Sequence, residues 1–208
     1  MTKVRAGNVQ EFHMNTPCSS IAAPVRLETP FDPARLRTLR CGDRVLLSGT
    51  IYAARDAAHK RMFEALNQGQ SLPIDLRNQC LYYVGPTPAP TGRPIGSAGP
   101  TTAGRMDAYT PRLLEQGILG MIGKGNRSPE VLEALCRHGA IYFAATGGAG
   151  ALLARHITSY RVLSYPELGP EALAELTIHD FPVIVAADNQ GKDMYVEGRK
   201  AYQVIWPN

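Results

Sequence analysis

Apolar and polar positions fall into clear registers once the first twenty-odd residues are passed. Residues 1–26 follow neither a helical nor a strand period and read as an N-terminal arm, leaving 27–208 as the folded domain. Residues 43–54 (DRVLLSGTIYAA) are rich in β-formers behind Gly42 and predict a strand, or a bent pair of strands about Gly49. Residues 55–67 place Ala58, Met62, Ala65 and Leu66 at helical spacing, with Asp56 near the start and Gly69 beyond the end. A short strand is expected at 81–84. The segment GPTPAPTGRPIGSAGPTTAG that follows is too rich in Gly and Pro for a regular element, and so long a loop is usually functional or mobile.

From Arg105 helices and strands alternate. Helix is expected at 105–116, 128–138 and 149–156, and strand at 118–122, 140–145, 160–164 and 183–187. Asp188-Asn189-Gln190-Gly191 predicts a hairpin turn into a strand at 194–196. Alternation of this kind implies an α/β fold with parallel, right-handed crossovers. The loops leaving the carboxyl ends of the strands then share one rim, so the glycine-bearing junctions 99–105, 123–128 and 146–150 are expected to meet there.

Composition narrows the classes. A chain of 208 residues suits one domain with a sizeable core, and 44% hydrophobic against 19% charged residues describes a globular protein rather than a disordered one. The net charge of +4 is small and its cations are scattered, which argues against nucleic acid as a partner. No apolar run reaches the roughly eighteen residues of a membrane span, and the first residues carry no signal-peptide core, so a cytoplasmic protein is expected. Cys18, Cys41, Cys80 and Cys136 stand alone, without metal-ligand spacing, and read as reduced thiols; no metal is expected on this chain by itself. His59, His138, His156 and His179 read as packed or surface histidines, since no catalytic pairing can be drawn from their spacing.

Two glycine-bearing turns hold the candidate chemistry. In GKGNRSPEVLEAL, Ser128 and Pro129 mark a helix start, and Gly123, Lys124, Gly125 and Asn126 precede it. Either these glycines bring the backbone close to an anion beside Lys124, or they make a tight turn with a solvated lysine. The spacing fails both the Walker and the dinucleotide patterns, which leaves a nucleotide fold as a secondary architecture. In GPTTAGRMD, Thr101 and Thr102 precede a helix whose first turn carries Arg105, where a cation opposes the helix dipole; facing an anion, or pairing with Asp107, would each account for it. Arg55 opens its own helix in the same way. Three cations at three element ends could clamp a dicarboxylate, with guanidinium forks binding carboxylates bidentately.

The segments GDRVLLSGTIYAARDAAHKRM, GPTTAGRMD, IGKGNRS, HGAIYFAATGGAGALLA, YPELGPEAL and DFPVIVAADNQGKDMY, in this order from about residue 30 to 197, resemble the β subunit, or C-terminal domain, of class I iron–sulfur fumarate hydratases and L-tartrate dehydratases. The resemblance implies a three-layer swivelling β/β/α domain and an α subunit, or N-terminal domain, that holds a [4Fe–4S] cluster with one iron open to substrate. It implies a β subunit that hydrates fumarate to malate reversibly and is active only with that partner, as a dimer or an α2β2 assembly. By the same likeness Arg55, Thr101, Thr102, Arg105, Gly123, Lys124, Gly125 and Asn126 bind the substrate carboxylates, and Thr101, Arg105 and Lys124 take part in catalysis. TGGAG replaces the more usual GGPA-like turn, which opens L-tartrate or mesaconate-type substrates as alternatives. A dicarboxylate-binding module without catalysis is a further one.

Overall fold

A computed structural model describes residues 23–203, a mixed α/β fold around one sheet of mostly parallel strands. The chain enters through β1 (Val25–Thr29), which starts inside the segment read as an arm; residues 1–22 of that arm lie outside the described residues. β2 (Arg44–Ala53) carries β1 along Val45–Gly49 and β3 (Cys80–Tyr82) along Tyr52–Ala53, both in parallel. β4 (Gly120–Gly123) and β5 (Ile141–Ala144) continue the parallel order. The three short central strands are almost wholly buried, as expected where both faces of a parallel sheet are covered.

β7 (Leu173–Ala187) departs from the alternation. It runs antiparallel to β5, to β2 and to β6 (Ile157–Ser164), and its pairing with both β2 and β5 closes β2, β3, β4, β5 and β7 into a ring. Only 183–187 of this strand is legible as a strand, because Asp180 and Pro182 interrupt the pattern. Asp180 sits at φ 48, opposite a bulge in β2, and its N–H donates to Ser48 Oγ. Pro182 lies between the ladder with β6, which ends at Ile178, and the ladder with β5, which starts at Ile184, so its missing N–H removes no bond on that edge. Gly49 supplies the β2 side of the bulge. Its φ is 108, and a Cβ there would stand 2.5 Å from the Thr29 carbonyl oxygen, so only glycine fits.

Helices flank the ring. α1 is a single turn, Pro33–Leu36, capped by Asp32. α2 (Asp56–Asn67) buries Ala58, His59 and Met62. α4 (Pro129–His138) buries Val131, Ala134 and Leu135; Ser128 Oγ accepts from the Val131 N–H, and Gly139 closes the helix at φ 69. The helix expected over 105–116 is broken into a 3₁₀ turn (Ala103–Met106) and the short α3 (Thr110–Leu114). Pro111 explains the break, since its ring would meet the carbonyl one turn back and it has no N–H to give. The expected helix at 149–156 is α5 (Gly150–Leu153) followed by a 3₁₀ turn (Ala154–His156).

The strand expected at 194–196 is a helix, α6 (Met194–Tyr202). Asp188 does make the tight turn, its Oδ1 accepting from the N–H groups of Gln190 and Lys192, but pairing stops at one bridge, Ala187 to Asp193. Asp193 Oδ1 then accepts from the Tyr195 N–H and starts the helix. No helix among the described residues is long and apolar enough to cross a membrane.

Candidate functional site

The parallel register determines where the candidate residues lie. Ala53, Tyr82, Ile122 and Phe143 stand side by side across β2 to β5. Arg55 and Lys124 are each two residues beyond that line, so their backbones lie on the same rim about 10 Å apart, two strand spacings. Thr101 and Thr102 fill the space between. The Thr101 N–H donates to the Tyr83 carbonyl (2.7 Å), Lys124 donates to the Thr101 carbonyl (3.2 Å), and Ala103 donates to the Lys124 carbonyl (2.8 Å). The long Gly/Pro loop thus returns to the sheet edge as a short added strand, with Thr102 bridging Lys124 in parallel.

The third junction meets the same loop. Ala98 donates to the Gly150 carbonyl at 3.0 Å, and a Cβ on Gly150 would lie 2.3 Å from Ser97 Oγ. The three junctions 99–105, 123–128 and 146–150 therefore pack as one surface.

The cations divide into two groups upon it. Arg55 and Arg105 converge on Asp56: Arg105 Nε donates to Asp56 Oδ1 at 2.7 Å, and Arg55 Nη2 is 3.6 Å from Asp56 Oδ2. Lys124 is exposed on the β5 side, its Cδ 3.5 Å and its Nζ 3.9 Å from the position of a Cβ on Gly147. Thr101 is half-buried, while Thr102 and Asn126 are exposed. Arg105 does not pair with Asp107, which instead meets Arg127.

The two glycines of the turn serve packing more than open access. Gly123 is buried where a Cβ would come within 2.9 Å of Tyr83 and 3.0 Å of Ala103. Gly125, at φ 81, donates its N–H to Tyr195 Oη (3.0 Å), and its carbonyl accepts from Tyr142 Oη (2.9 Å). Its backbone groups are thereby engaged within the protein, which leaves side chains such as Lys124 and Asn126 as the exposed polar groups of the turn.

Below the rim lies a buried ionic network that the one-dimensional pattern does not reveal. The Arg127 side chain has 0% exposure; its Nε donates to Asp107 Oδ1 (2.7 Å) and its Nη2 to Thr110 Oγ1 (2.7 Å). The guanidinium also lies over the rings of Tyr83 and Tyr142, 5.5 and 4.9 Å from their centroids. Asp107 Oδ2 additionally accepts from the Ser128 N–H (2.6 Å).

His59 is wholly buried beneath Arg55, edge-on to Tyr83. Its Nδ1–H donates to the Arg55 carbonyl at 2.8 Å, which leaves Nε2 as an acceptor with no partner. Burial holds its pKa down to about 4, with the Arg127 charge adding to the effect. The unfolded chain, at its ordinary value near 6.5, takes up the proton first as the pH falls. Stability is therefore fully present above about pH 6.5 and declines through the window down to about 4. We expect wild type to lose about 2 kcal/mol more than His59→Leu between pH 7 and pH 5, read from urea unfolding at each pH. Equal slopes for the two proteins would refute a neutral buried imidazole.

Among the described residues no group of three His, Cys, Asp or Glu side chains is placed to hold a metal ion. Cys80 is buried, its thiol pKa raised by desolvation, while Cys41 and Cys136 lie elsewhere, half-buried and exposed; Cys18 is outside the described residues.

Comparison with known proteins places the chain. The family described as "Fumarase C-terminus" matches residues 5–198. "Fumarate hydratase 2" of Leishmania major is 38% identical over 192 residues, 90% of this chain and 33% of that protein. "Fumarate hydratase class I, aerobic" of Escherichia coli (strain K12) is 41% identical over 164 residues, 78% of this chain and 30% of that protein. "Putative L(+)-tartrate dehydratase subunit beta" of Methanocaldococcus jannaschii is 37% identical over 177 residues, 82% of this chain and 91% of that protein. The chain thus spans about a third of the length of the two fumarate hydratases and nearly all of the tartrate dehydratase subunit. With a match that runs through every junction of the rim, the chain belongs to the fumarase C-terminus family.

Proposed function

We propose that this chain is the β subunit of a two-chain hydro-lyase that interconverts fumarate and malate, built on a swivelling β/β/α domain and working in the cytoplasm. The observation that carries the reading is an unfinished polar site. Of the four buried side-chain atoms without a hydrogen-bond partner among the described residues, three are Arg55 Nε, Asp56 Oδ2 and His59 Nε2, at the N-cap and in the first turn of α2. Orphaned buried polar atoms are costly, and in a protein of this family such a cluster beside two arginines suits a ligand's polar groups.

In this reading Arg55 and Arg105 hold one carboxylate of the substrate, and Lys124 meets the other from across the rim. Taking a proton from the carbon beside a carboxylate puts further negative charge on that carboxylate as the reaction proceeds. Cations fixed in advance stabilise this developing charge more than the ground state, so they act on the chemical step as well as on binding. Thr101, at the centre of the rim, donates a hydrogen bond to substrate; its hydroxyl is a poor base without a base beside it. Thr102, Gly123, Gly125 and Asn126 shape the turns of that rim.

The family likeness implies a [4Fe–4S] cluster, and among the described residues Cys41, Cys80 and Cys136 are not grouped to hold one. We assign the cluster to an α subunit, with an α2β2 assembly as the expected form. The near full-length match to the protein named "Putative L(+)-tartrate dehydratase subunit beta" supports the two-chain arrangement, and it also favours L-tartrate as the second candidate substrate. The test is anaerobic mixing of this chain with its α subunit, following fumarate and L-tartrate separately. We expect fumarate hydration from the mixture and none from this chain alone. Turnover of tartrate in its place would move the assignment to the second reading, and tight fumarate binding by the β chain alone with no turnover in the mixture would favour a non-catalytic module.

A further inference from the structure

The first turn of α2 has no cap of its own. Arg55 stands at the N-cap and makes no side-chain hydrogen bond to the helix. Its place is taken by a residue 114 positions from the N–H it caps: Glu171 Oε2 accepts from the Ala57 N–H at 3.0 Å. The other oxygen of the same carboxylate, Oε1, lies 3.3 Å from Arg55 Nη2. One side chain therefore caps the helix and contacts the guanidinium that opens it.

The segment bearing Glu171 is fastened to the same helix. Arg61 Nη2 donates to Glu167 at 2.6 Å, and the Arg61 guanidinium lies 5.7 Å above the ring of Tyr165. Gly169 turns the chain at φ 57, and the Pro170 carbonyl comes down beside Gly85. A Cβ on Gly85 would lie 2.9 Å from Arg55 Nη1 and 3.0 Å from the Pro170 oxygen, so the guanidinium is confined on that side by backbone. Asp56 bounds it on another.

We infer that Glu171 is a positioning residue that holds the Arg55 guanidinium in the orientation that receives a substrate carboxylate, an inference that rests on the proposed role of Arg55. The alternative for a carboxylate so placed is a plug that occupies the substrate's position. Geometry argues against the plug. A competing carboxylate would turn both oxygens to the guanidinium fork, whereas Glu171 commits one to the Ala57 N–H and leaves Arg55 Nε without an acceptor.

The two roles predict opposite signs. Glu171→Gln keeps an oxygen for the Ala57 N–H and removes the charge facing Arg55. In the assembled enzyme we expect KM for the dicarboxylate to rise about tenfold, the loss of one charge-assisted contact, with the unfolding midpoint of the chain unchanged. Glu171→Asp, charged but one methylene shorter, should recover part of the loss. Independently of activity, the Arg55 Nε–H resonance of the full chain should exchange slowly with solvent in wild type and faster in Glu171→Gln, as followed by ¹⁵N NMR. An unchanged or lower KM in Glu171→Gln, or a fast-exchanging Arg55 Nε–H in wild type, overturns the inference. Arg55→Ala separates the two layers: if it cripples the enzyme while Glu171→Gln does not, the positioning role alone fails. If Arg55→Ala is itself silent, the carboxylate reading of Arg55 falls and the inference falls with it.

Discussion

If the proposed assignment holds, truncation of Arg105 to alanine is expected to lower kcat/KM for fumarate in the assembled enzyme by a factor worth about 2 to 4 kcal/mol, the scale of a lost group that stabilises developing charge. Lys124→Ala is expected to fall in the same range. In the isolated chain the Arg105 side chain is 51% exposed and its partner is Asp56. An exposed pair of this kind contributes about 1 kcal/mol or less to folding, so the unfolding midpoint should barely move while activity collapses. That separation of activity from stability is the diagnostic. Arg105→Lys should recover little, because a point charge cannot replace a planar fork that bridges Asp56 and a substrate carboxylate. Glu133→Ala, on the exposed face of α4, is the control and should leave kcat/KM within error. The decisive measurement is steady-state kinetics of the four variants with the same partner preparation. If Arg105→Ala raises KM alone, with kcat intact, the arginine only binds the ground state; if neither parameter moves, it lies outside the site.

What could be read from the chain itself follows a physical divide. α4 was legible because its signals are local: the Ser128 cap and Pro129 at its first turn both act within one helix. β4 and β5 were legible as short apolar runs between turns. β7 was legible only in its last third, since Pro182 and the left-handed Asp180 are tolerated solely because of where β6, β2 and β5 end against it. The helix at Met194–Tyr202 was missed because a hairpin turn signal precedes it, and the Asp193 cap outcompetes continued pairing.

The site divides in the same way. Arg55, Thr101, Arg105 and Lys124 stand in short motifs at element ends, so spacing and family likeness together single them out. The residues that brace them do not. Asp56 looks like an ordinary acid in a first turn, and Glu171 is 114 residues from the N–H it caps. Arg127 belongs to the same turn as Lys124 but faces inward, and no periodicity distinguishes a buried arginine from an exposed one. Such roles arise only when closure of the ring by β7 and packing of α3 beside α4 bring distant segments together.

Asp107→Ala is expected to destabilise the chain by about 3 to 5 kcal/mol, the cost of leaving a buried charge without its partner. Arg127 cannot shed its proton and has no solvent to turn to, with 0% side-chain exposure. Asp107 is also the acceptor for the Ser128 N–H at the start of α4, so the substitution removes a helix contact along with the counter-charge. Asp107→Asn keeps an acceptor and should be milder, whereas Asp107→Leu combined with Arg127→Met should regain much of the loss by removing both charges together. Urea unfolding of the full chain measures all three, and a double variant no better than Asp107→Ala would refute the account. The consequence reaches the site because of where the two residues sit. Asp107 follows Arg105 by two positions, and Arg127 follows Lys124 by three. Their ion pair therefore joins the segment carrying one cation to the turn carrying the other and fixes the distance between them. Any variant that weakens this pair without unfolding the chain should raise KM even though neither residue reaches the rim.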